Sequence, residues 1–182
     1  MNPFHITYRW DMVQYILDLT NRLTVGARAA TRAVPTIKSA PLSTNRRQLV
    51  KIVILGCGRV GATLAAMMEK AGHKVSIIDY SSEAFQRLSP DFQGETFVGN
   101  GVDEEVLVRA GIKDADAFAA VTNGDNRNIM ASQIVKEIFK VKKVVCRIYD
   151  PLREEIYQEL GLETICPTKV GARLIFEAIQ RK

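Results

Sequence analysis

A glycine-rich hexapeptide that follows an almost wholly apolar run constrains the fold of this chain more than any other feature. The apolar run covers residues 50–55 and is typical of a strand buried on both faces of a sheet. The hexapeptide that follows it reads Gly56-Cys57-Gly58-Arg59-Val60-Gly61. Residues 60–71 then have the pattern of a helix that ends at Gly72. A strand, a tight turn and a helix in this order predict a parallel α/β unit.

The same alternation continues to the end of the chain. Further strands are predicted at 74–79, 96–98, 117–122, 143–148 and 163–166, with the last helix at about 170–180. Six strands with five intervening helical segments predict one α/β domain over residues 49–182, built on a Rossmann-like, doubly wound parallel sheet.

Short polar side chains and a proline are predicted to start the later helices. Ser81 and Ser82 precede the second helix, and Asp103 and Asp125 precede the third and the fourth. Pro151 is expected to occupy the first turn of the fifth helix.

The first 48 residues differ in kind from the rest. Met12, Ile16, Leu19 and Leu23 have helical spacing, so about 11–24 is predicted to form an amphipathic helix. Residues 26–48 contain no acidic residue and are rich in Ala, Thr, Ser, Pro and Arg, which is typical of a flexible linker. This basic extension is predicted to contact a membrane surface or the cytoplasmic face of a channel, and a disordered extension or a start codon placed too early is the competing interpretation.

The net charge of +5 resides in this extension. Residues 1–49 contain seven basic and two acidic side chains, whereas residues 50–182 contain 18 of each. A folded domain of zero net charge gives no reason to expect a nucleic-acid partner. Three cysteines without paired spacing and two distant histidines also argue against a metal centre or a disulfide scaffold.

The hexapeptide has the spacing of a dinucleotide-binding loop. Gly56 permits the tight turn, Gly58 lets backbone N–H groups approach a pyrophosphate, and Gly61 lets the helix pack closely on the strand. Arg59 either pairs with a ligand phosphate or is a solvated arginine at the start of a helix. Cys57 is expected to be a packed residue rather than a reactive thiol.

Asp79 follows Gly61 by 18 residues, at the end of the second predicted strand. A carboxylate at this position accepts hydrogen bonds from a ribose diol and repels a 2′-phosphate. Because Tyr80, Ser81 and Ser82 supply no arginine for such a phosphate, the site is expected to prefer NAD, or another adenine nucleotide with a free ribose, over NADP.

Two further loops lie at the same edge of the predicted sheet. Asn100 and Gly101 follow the third strand, where Asn100 would face the adenine, and Thr122 and Asn123 follow the fourth. Each polar group here either contacts the ligand or only forms its turn. The complete set of candidate ligand-binding residues is Gly56, Cys57, Gly58, Arg59, Val60, Gly61, Asp79, Tyr80, Asn100, Gly101, Thr122 and Asn123.

Five stretches in sequence order resemble the Trk-type regulatory domain of potassium transport, also called RCK or KTN. They are ILGCGRVGATLA, SIIDYS, FVGNGVDEEVLVRAGI, ADAFAAVTNGDNRNIMASQI and CRIYDPLREEIYQELGLETICPT. The resemblance implies a cytoplasmic regulatory subunit, at the inner face of the plasma membrane, that binds NAD(H) or ATP/ADP and controls a potassium channel or transporter. It also implies a homodimer, paired through a crossover helix, or a higher ring assembly.

Carried over by motif, the resemblance places Gly56, Gly58, Arg59 and Gly61 at the phosphates and Asp79 at the ribose. The family usually has Asp at position 100, where this chain has Asn, so the acceptor is retained and the charge is lost. Arg147 is implied as a contact at a subunit boundary. Because residues 1–48 contain no pore helix, we expect a single regulatory module.

An NAD-dependent oxidoreductase and a ligand-free Rossmann scaffold are the competing interpretations. None of the five tyrosines is followed four residues later by lysine, so the short-chain dehydrogenase pair is absent. His73 is expected at the edge of the sheet opposite the ligand. Catalysis of hydride transfer would also need a substrate pocket with an acid or base near the nicotinamide. We therefore expect a sensor with no catalytic residue.

Overall fold

A computed structural model describes residues 49–181 of the chain. The helix predicted at 11–24 and the linker predicted at 26–48 lie outside the described residues.

Six strands and five α-helices alternate along the described chain. The strands are β1 (Lys51–Leu55), β2 (Lys74–Asp79), β3 (Glu95–Val98), β4 (Ala117–Ala120), β5 (Lys143–Arg147) and β6 (Glu163–Ile165). The helices are α1 (Arg59–Lys70), α2 (Glu104–Arg109), α3 (Asp125–Glu137), α4 (Pro151–Glu159) and α5 (Pro167–Gln180), with 3-10 turns at Ser82–Arg87 and Ile112–Asp114.

The strands form one parallel sheet in the order β3-β2-β1-β4-β5-β6. This order confirms the predicted doubly wound Rossmann-like fold. The chain first builds outward from β1 to β3 and then continues from β4 on the other side of β1. The loops after β1 and β4 therefore diverge to opposite faces, which opens a crevice at the carboxyl ends of these strands.

Strand β1 is buried on both faces of the sheet, as its apolar sequence predicts. Ile52 and Ile54 belong to the core that contains α1, whereas Val53 and Leu55 belong to the core that contains α2 and α3. Each of these side chains contributes about 1.5–3 kcal/mol when it is buried completely. The two apolar layers hold the carboxyl end of β1, and with it the start of the glycine-rich loop, in a fixed position.

The structure corrects two of the predicted helix starts. The segment after Ser81 is a 3-10 turn, and no serine side chain caps it. Asp125 does not cap α3: its carboxylate accepts hydrogen bonds from the N–H groups of Tyr149, at 2.9 Å, and Asp150, at 3.2 Å. It thus connects α3 to the loop after β5. Asp103 caps α2 as predicted, because its carboxylate accepts from the Glu105 N–H at 2.9 Å.

The last helix begins earlier than the sequence pattern predicts. It starts at Pro167 rather than near residue 170, and the proline occupies its first turn. Within the described chain, no helix is both long enough and apolar enough to cross a membrane. Residues 49–181 also contain no group of three or more His, Cys, Asp or Glu side chains placed to hold a metal ion.

Candidate functional site

A pocket of about 1190 Å³ opens at the carboxyl ends of the strands, where the fold reverses direction. The loops after β1 to β5 all contribute residues to its lining. Eleven of the twelve candidate residues line it, namely Gly56, Cys57, Gly58, Arg59, Val60, Asp79, Tyr80, Asn100, Gly101, Thr122 and Asn123. Gly61 does not line the pocket. Its role in the structure is to let α1 pack against the loop.

The two outer glycines of the loop are required by the protein itself. Gly56 has φ +104°, which disfavours any other residue, and a Cβ there would lie 2.9 Å from the Thr122 nitrogen. A Cβ on Gly61 would overlap the carbonyl oxygen of Gly56. These contacts agree with the turn and packing roles that the motif predicts.

Gly58 is different, because nothing in the protein requires a glycine there. Its backbone is extended, with φ −78° and ψ −169°, and a Cβ would meet no atom within 4 Å. Gly58 is exposed and lines the pocket. A glycine in an unstrained, open position allows a ligand to approach the backbone closely.

The start of α1 supplies an anion site. No side chain caps this helix, and its first turn contains no acidic residue. The first N–H groups of a helix have no acceptor within the helix, and the dipole makes this end positive. The uncapped N–H groups of this helix start, together with Arg59, therefore place positive charge at the pocket, an arrangement that suits phosphates.

Asp79 connects the ribose side of the pocket to the glycine loop. One carboxylate oxygen accepts from the Cys57 N–H at 2.7 Å, and the other accepts from the Ser81 N–H at 3.0 Å. An ionised carboxylate has about four acceptor sites, so two remain for a ribose diol. Asp79 can therefore fix the loop and bind a ligand at the same time.

The Cys57 thiol is packed in the core and is not a nucleophile. Its side chain is fully buried. Burial, and to a lesser degree the charge of Asp79, raise the pKa of the Cys57 thiol to about 11, and Arg87 opposes the shift. Because the thiolate is the reactive form, this cysteine is inert at neutral pH.

The loops after β2 and β3 contribute an exposed aromatic ring and an amide. Tyr80 is exposed, and the Arg127 guanidinium lies 5.5 Å from the centre of its ring. The Asn100 side chain is exposed, and its carbonyl oxygen accepts from the Val102 N–H at 3.4 Å. Gly101 packs against Leu55, whose side chain a Cβ there would overlap. Asn100 thus both forms its turn and faces the pocket.

A buried hydrogen-bond network lies beneath the far side of the pocket. The side chain of Asn128 accepts from the Thr122 N–H at 2.9 Å and from its hydroxyl at 2.7 Å. Its amide donates to the carbonyl oxygens of Thr122, at 3.0 Å, and Arg147, at 2.9 Å. The Arg147 guanidinium in turn donates to the Thr122 carbonyl. The network fixes the ends of β4 and β5 relative to each other.

Several lining residues were not predicted from the sequence because they come from distant segments. Arg87 lies in the 3-10 turn after β2, so an arginine does reach the ribose side of the pocket. Arg127 and Met130 come from α3, and Tyr149 follows β5. A signal for Arg127 and Met130 was present, since the first turns of a helix that follows a strand face this edge of the sheet.

The charges of the lining are unevenly distributed. The acidic residues are Asp79 and Glu83, both from β2 and the turn after it. Four arginines also line the pocket: Arg59 at the start of α1, Arg87 in the same turn as Glu83, and Arg127 and Arg147 on the β4–β5 side. A surplus of positive charge around uncapped helix N–H groups suits an anionic ligand.

Comparison with known proteins identifies a family for most of the described chain. The family model described as the TrkA-N domain matches residues 52–167. Over 118 residues the chain is 48% identical to the Trk system potassium uptake protein TrkA of Streptomyces coelicolor, which covers 65% of this chain and 53% of that protein. The chain spans between about half and three fifths of the length of the first curated relatives that it matches.

Solved structures share the fold at lower identity. The AMP-bound C-terminal domain of Kef from Shewanella denitrificans has a TM-score of 0.61 and 23% identity, and the match covers 71% of this chain and 79% of that one. GsuK bound to ADP has a TM-score of 0.62 and 22% identity, over 72% of this chain and 34% of that one. At these identities the likeness establishes the fold alone.

Proposed function

The chain belongs to the TrkA-N domain family, and from this premise we propose that it is a regulatory subunit that senses a nucleotide and controls a membrane potassium channel or transporter. The curated relatives are named as Trk system potassium uptake proteins. Because the chain spans only part of their length, their activity is carried over here as a proposal.

The observation that carries this proposal is the pocket at the switch point of the sheet. It combines an uncapped helix start, an open glycine at position 58 and a carboxylate at Asp79. These groups suit the phosphates and the ribose of an adenine nucleotide. We propose NAD(H) as the ligand, with ATP/ADP as the second candidate. The AMP and ADP in the two structural neighbours support an adenine nucleotide in general.

The proposed role is sensing and not catalysis. The described lining contains neither histidine nor lysine, and its only thiol has a pKa of about 11 because of burial. His73 lies between α1 and β2, at the opposite edge of the sheet, where its Nδ1 accepts from the Val50 N–H at 3.2 Å. Hydride transfer would need an acid or base near the nicotinamide, at the β4–β5 side of the pocket, where Tyr149 is the one such residue of the described lining and its ring lies against the Arg147 guanidinium.

We propose that two copies of the chain pair through α5. The helix buries none of its residues, although much of its sequence is apolar. Its exposed apolar side chains are Val170, Leu174, Ile175, Phe176 and Ile179. A continuous apolar helix face is stable in water only when another surface covers it, and a second copy presents the same face. Higher ring assembly would extend this dimer.

The potassium transporter itself is proposed as the partner that receives the signal, at the cytoplasmic face of the membrane. The basic extension of residues 1–48 is proposed to contact that transporter or the membrane surface. A ligand can shift a conformation only by binding two states with different affinity. In this scheme Arg59, at the start of α1, lies beside the phosphates and contributes to the affinity for every nucleotide that carries them.

Potassium uptake in cells tests the proposed function. Cells that lack the gene should show altered uptake of rubidium, a potassium analogue, and expression of the wild-type chain should restore it. Gly58→Ala should not restore it, because the pocket is blocked while the fold is intact. Lys113→Ala, an exposed position in the 3-10 turn Ile112–Asp114 outside both the pocket and α5, serves as the control. Equal restoration by Gly58→Ala would contradict a nucleotide-dependent role.

A further inference from the structure

Arg147 is a buried cation without an acidic partner. It ends β5, lines the pocket and is only 7% exposed. The ion pairs within residues 49–181 include none that involves it. One of its terminal nitrogens donates to the Thr122 carbonyl, and the Tyr149 ring lies 4.4 Å from its guanidinium carbon. Its Nε has no hydrogen-bond partner.

A guanidinium stays charged in a protein, so burial without a carboxylate is unfavourable. A carbonyl oxygen and an aromatic face offset only part of this cost. Asp125 is close in sequence to Thr122, but its carboxylate is occupied by two N–H groups and lies 4.0 Å from Arg153. The charge of Arg147 is therefore available to whatever fills the pocket.

The two sides of the pocket differ in sign. Both acidic lining residues belong to the β2 side, which suits a ribose diol. The β4–β5 side is lined by Arg127 and Arg147 and by no acidic residue of the described chain. Three strand spacings separate the ends of β2 and β5, which corresponds to about 14 Å. A nucleoside monophosphate whose ribose binds Asp79 is too short to reach the end of β5. The further phosphates of ATP, or the second nucleoside of a dinucleotide, extend to the end of β5.

We propose that Arg147 is the specificity-determining residue of the far side of the pocket. This inference rests on the proposed nucleotide site. The guanidinium favours ligands that place negative charge beyond the first phosphate, and it disfavours a cationic group there. The site therefore binds ATP and ADP more tightly than AMP. It also binds NADH, whose nicotinamide ring is neutral, more tightly than NAD⁺, whose ring is positively charged.

Arg147 and Arg59 make different contributions under this proposal. Arg59 is exposed at the start of α1, beside the phosphates that NADH and NAD⁺ share. Loss of Arg59 should weaken both dinucleotides equally. Arg147 lies at the side of the pocket that, of the two halves of a dinucleotide, only the nicotinamide half reaches. Loss of Arg147 should therefore change the ratio of the NADH and NAD⁺ affinities.

Calorimetric titration of the full chain with AMP, ADP, ATP, NADH and NAD⁺ tests the proposal. The wild type should prefer ATP over AMP, and NADH over NAD⁺, by about tenfold or more, which is about 1.4 kcal/mol. Arg147→Gln removes the charge and retains a donor for the Thr122 carbonyl. It should bring both ratios below about threefold while AMP affinity changes little. Arg147→Lys retains the charge and should keep both preferences.

Arg109→Met is the matched control, because it removes one positive charge on α2 outside the pocket. It should leave both ratios unchanged. If Arg147→Gln keeps the wild-type ratios, or Arg147→Lys loses them, the inference is wrong while the nucleotide site stands. If the wild type binds no nucleotide, the proposed function and this inference fail together. Circular dichroism of each variant checks that it is folded, and Arg147→Met, which also removes the charge, replaces the glutamine variant if that variant is not folded.

Discussion

The three glycines of the loop illustrate, at the scale of single residues, two different reasons for the same amino acid. Gly56 and Gly61 are fixed by the protein, through a positive φ and through contact between α1 and the loop. Gly58 has an ordinary backbone and open space around its Cα. A substitution at position 58 can therefore affect ligand binding without affecting the fold, whereas a substitution at position 56 or 61 would disturb the fold as well.

Gly58→Ala is expected to abolish tight nucleotide binding with little effect on stability. Its methyl group would occupy the pocket where phosphates approach the backbone. The thermal midpoint should change by no more than about 3 °C, because substitutions in open positions alter stability by about 0.5 kcal/mol. The affinity for NADH should fall by at least about tenfold in calorimetry. Lys113→Ala, outside both the pocket and α5, should leave the affinity unchanged, and unaltered binding by Gly58→Ala would contradict the proposed role of Gly58.

Thiol reactivity tests the burial of the cysteines. Burial raises the pKa of the Cys57 thiol to about 11 and also raises the pKa of Cys146, and all three cysteines are buried. The folded protein should therefore show no rapidly reacting thiol with a disulfide reagent at pH 8, whereas three should react after denaturation in guanidinium. A fast-reacting thiol in the folded state would mean that the loop opens more than the structure indicates.

At the scale of elements, Lys169 connects the last two helices. It lies 2.8 Å from the buried carboxylate of Glu154 and 3.1 Å from Glu155. Hydrogen bonds to Glu154 and then to Glu155 raise the pKa of Lys169. The folded state therefore holds this proton more tightly than the unfolded state, so the interaction stabilises the fold at neutral pH and is lost as the pH rises through the raised pKa.

Lys169→Met is accordingly expected to lower the thermal midpoint at pH 7. The difference from the wild type should shrink as the pH approaches and passes the raised pKa, because the wild type then loses the same interaction. Scanning calorimetry across this pH range measures both effects. Lys143→Met, which breaks the exposed pair with Glu163, should cost less at pH 7. If the difference in thermal midpoint between Lys169→Met and the wild type instead grows with pH, the stated direction of the Lys169 pKa shift is wrong.

The sequence predicts whole elements well when they are strongly apolar and locally bounded. Strand β2 has the predicted bounds, and β1 is buried on both faces as expected. The predictions fail where distant segments decide the outcome. Asp125 resembles a cap in sequence, but the N–H groups after β5 bind it instead. Arg87 lines the pocket because it lies in the 3-10 turn after β2, and Arg147 lines it because the sheet order places β5 beside β4. Local sequence patterns predict neither placement.

At the scale of the whole molecule, the sheet order determines both the site and the surface left for assembly. The reversal between β1 and β4 opens the pocket, and α5 follows the edge strand β6 with its apolar side chains exposed. The pocket and the proposed dimer helix therefore lie on separate parts of one domain. A sensor of this type would transmit ligand binding through the sheet to that helix.

Phe176→Glu is expected to convert the dimer into a monomer. Phe176 and Ile179 are 63% and 76% exposed, so the change should not disturb the core, but it places a charge in the proposed apolar interface. Size-exclusion chromatography with light scattering should give twice the monomer mass for the wild type and the monomer mass for the variant. Gln180→Glu adds the same charge on α5 and should remain a dimer. A monomeric wild type would contradict pairing through α5.

The most direct test of the account is calorimetric titration of the wild-type chain and Asp79→Asn with NADH, NADPH, ADP and ATP. Asparagine retains a carbonyl oxygen that can accept from the Cys57 N–H, so the loop should stay in place. We expect the wild type to bind NADH tightly and NADPH more weakly, because the Asp79 carboxylate repels a 2′-phosphate even though Arg87 lines the same side of the pocket. In the variant, NADH binding should be at least about tenfold weaker, with less discrimination against NADPH. Absence of binding by every nucleotide, or unchanged binding by Asp79→Asn, would contradict it.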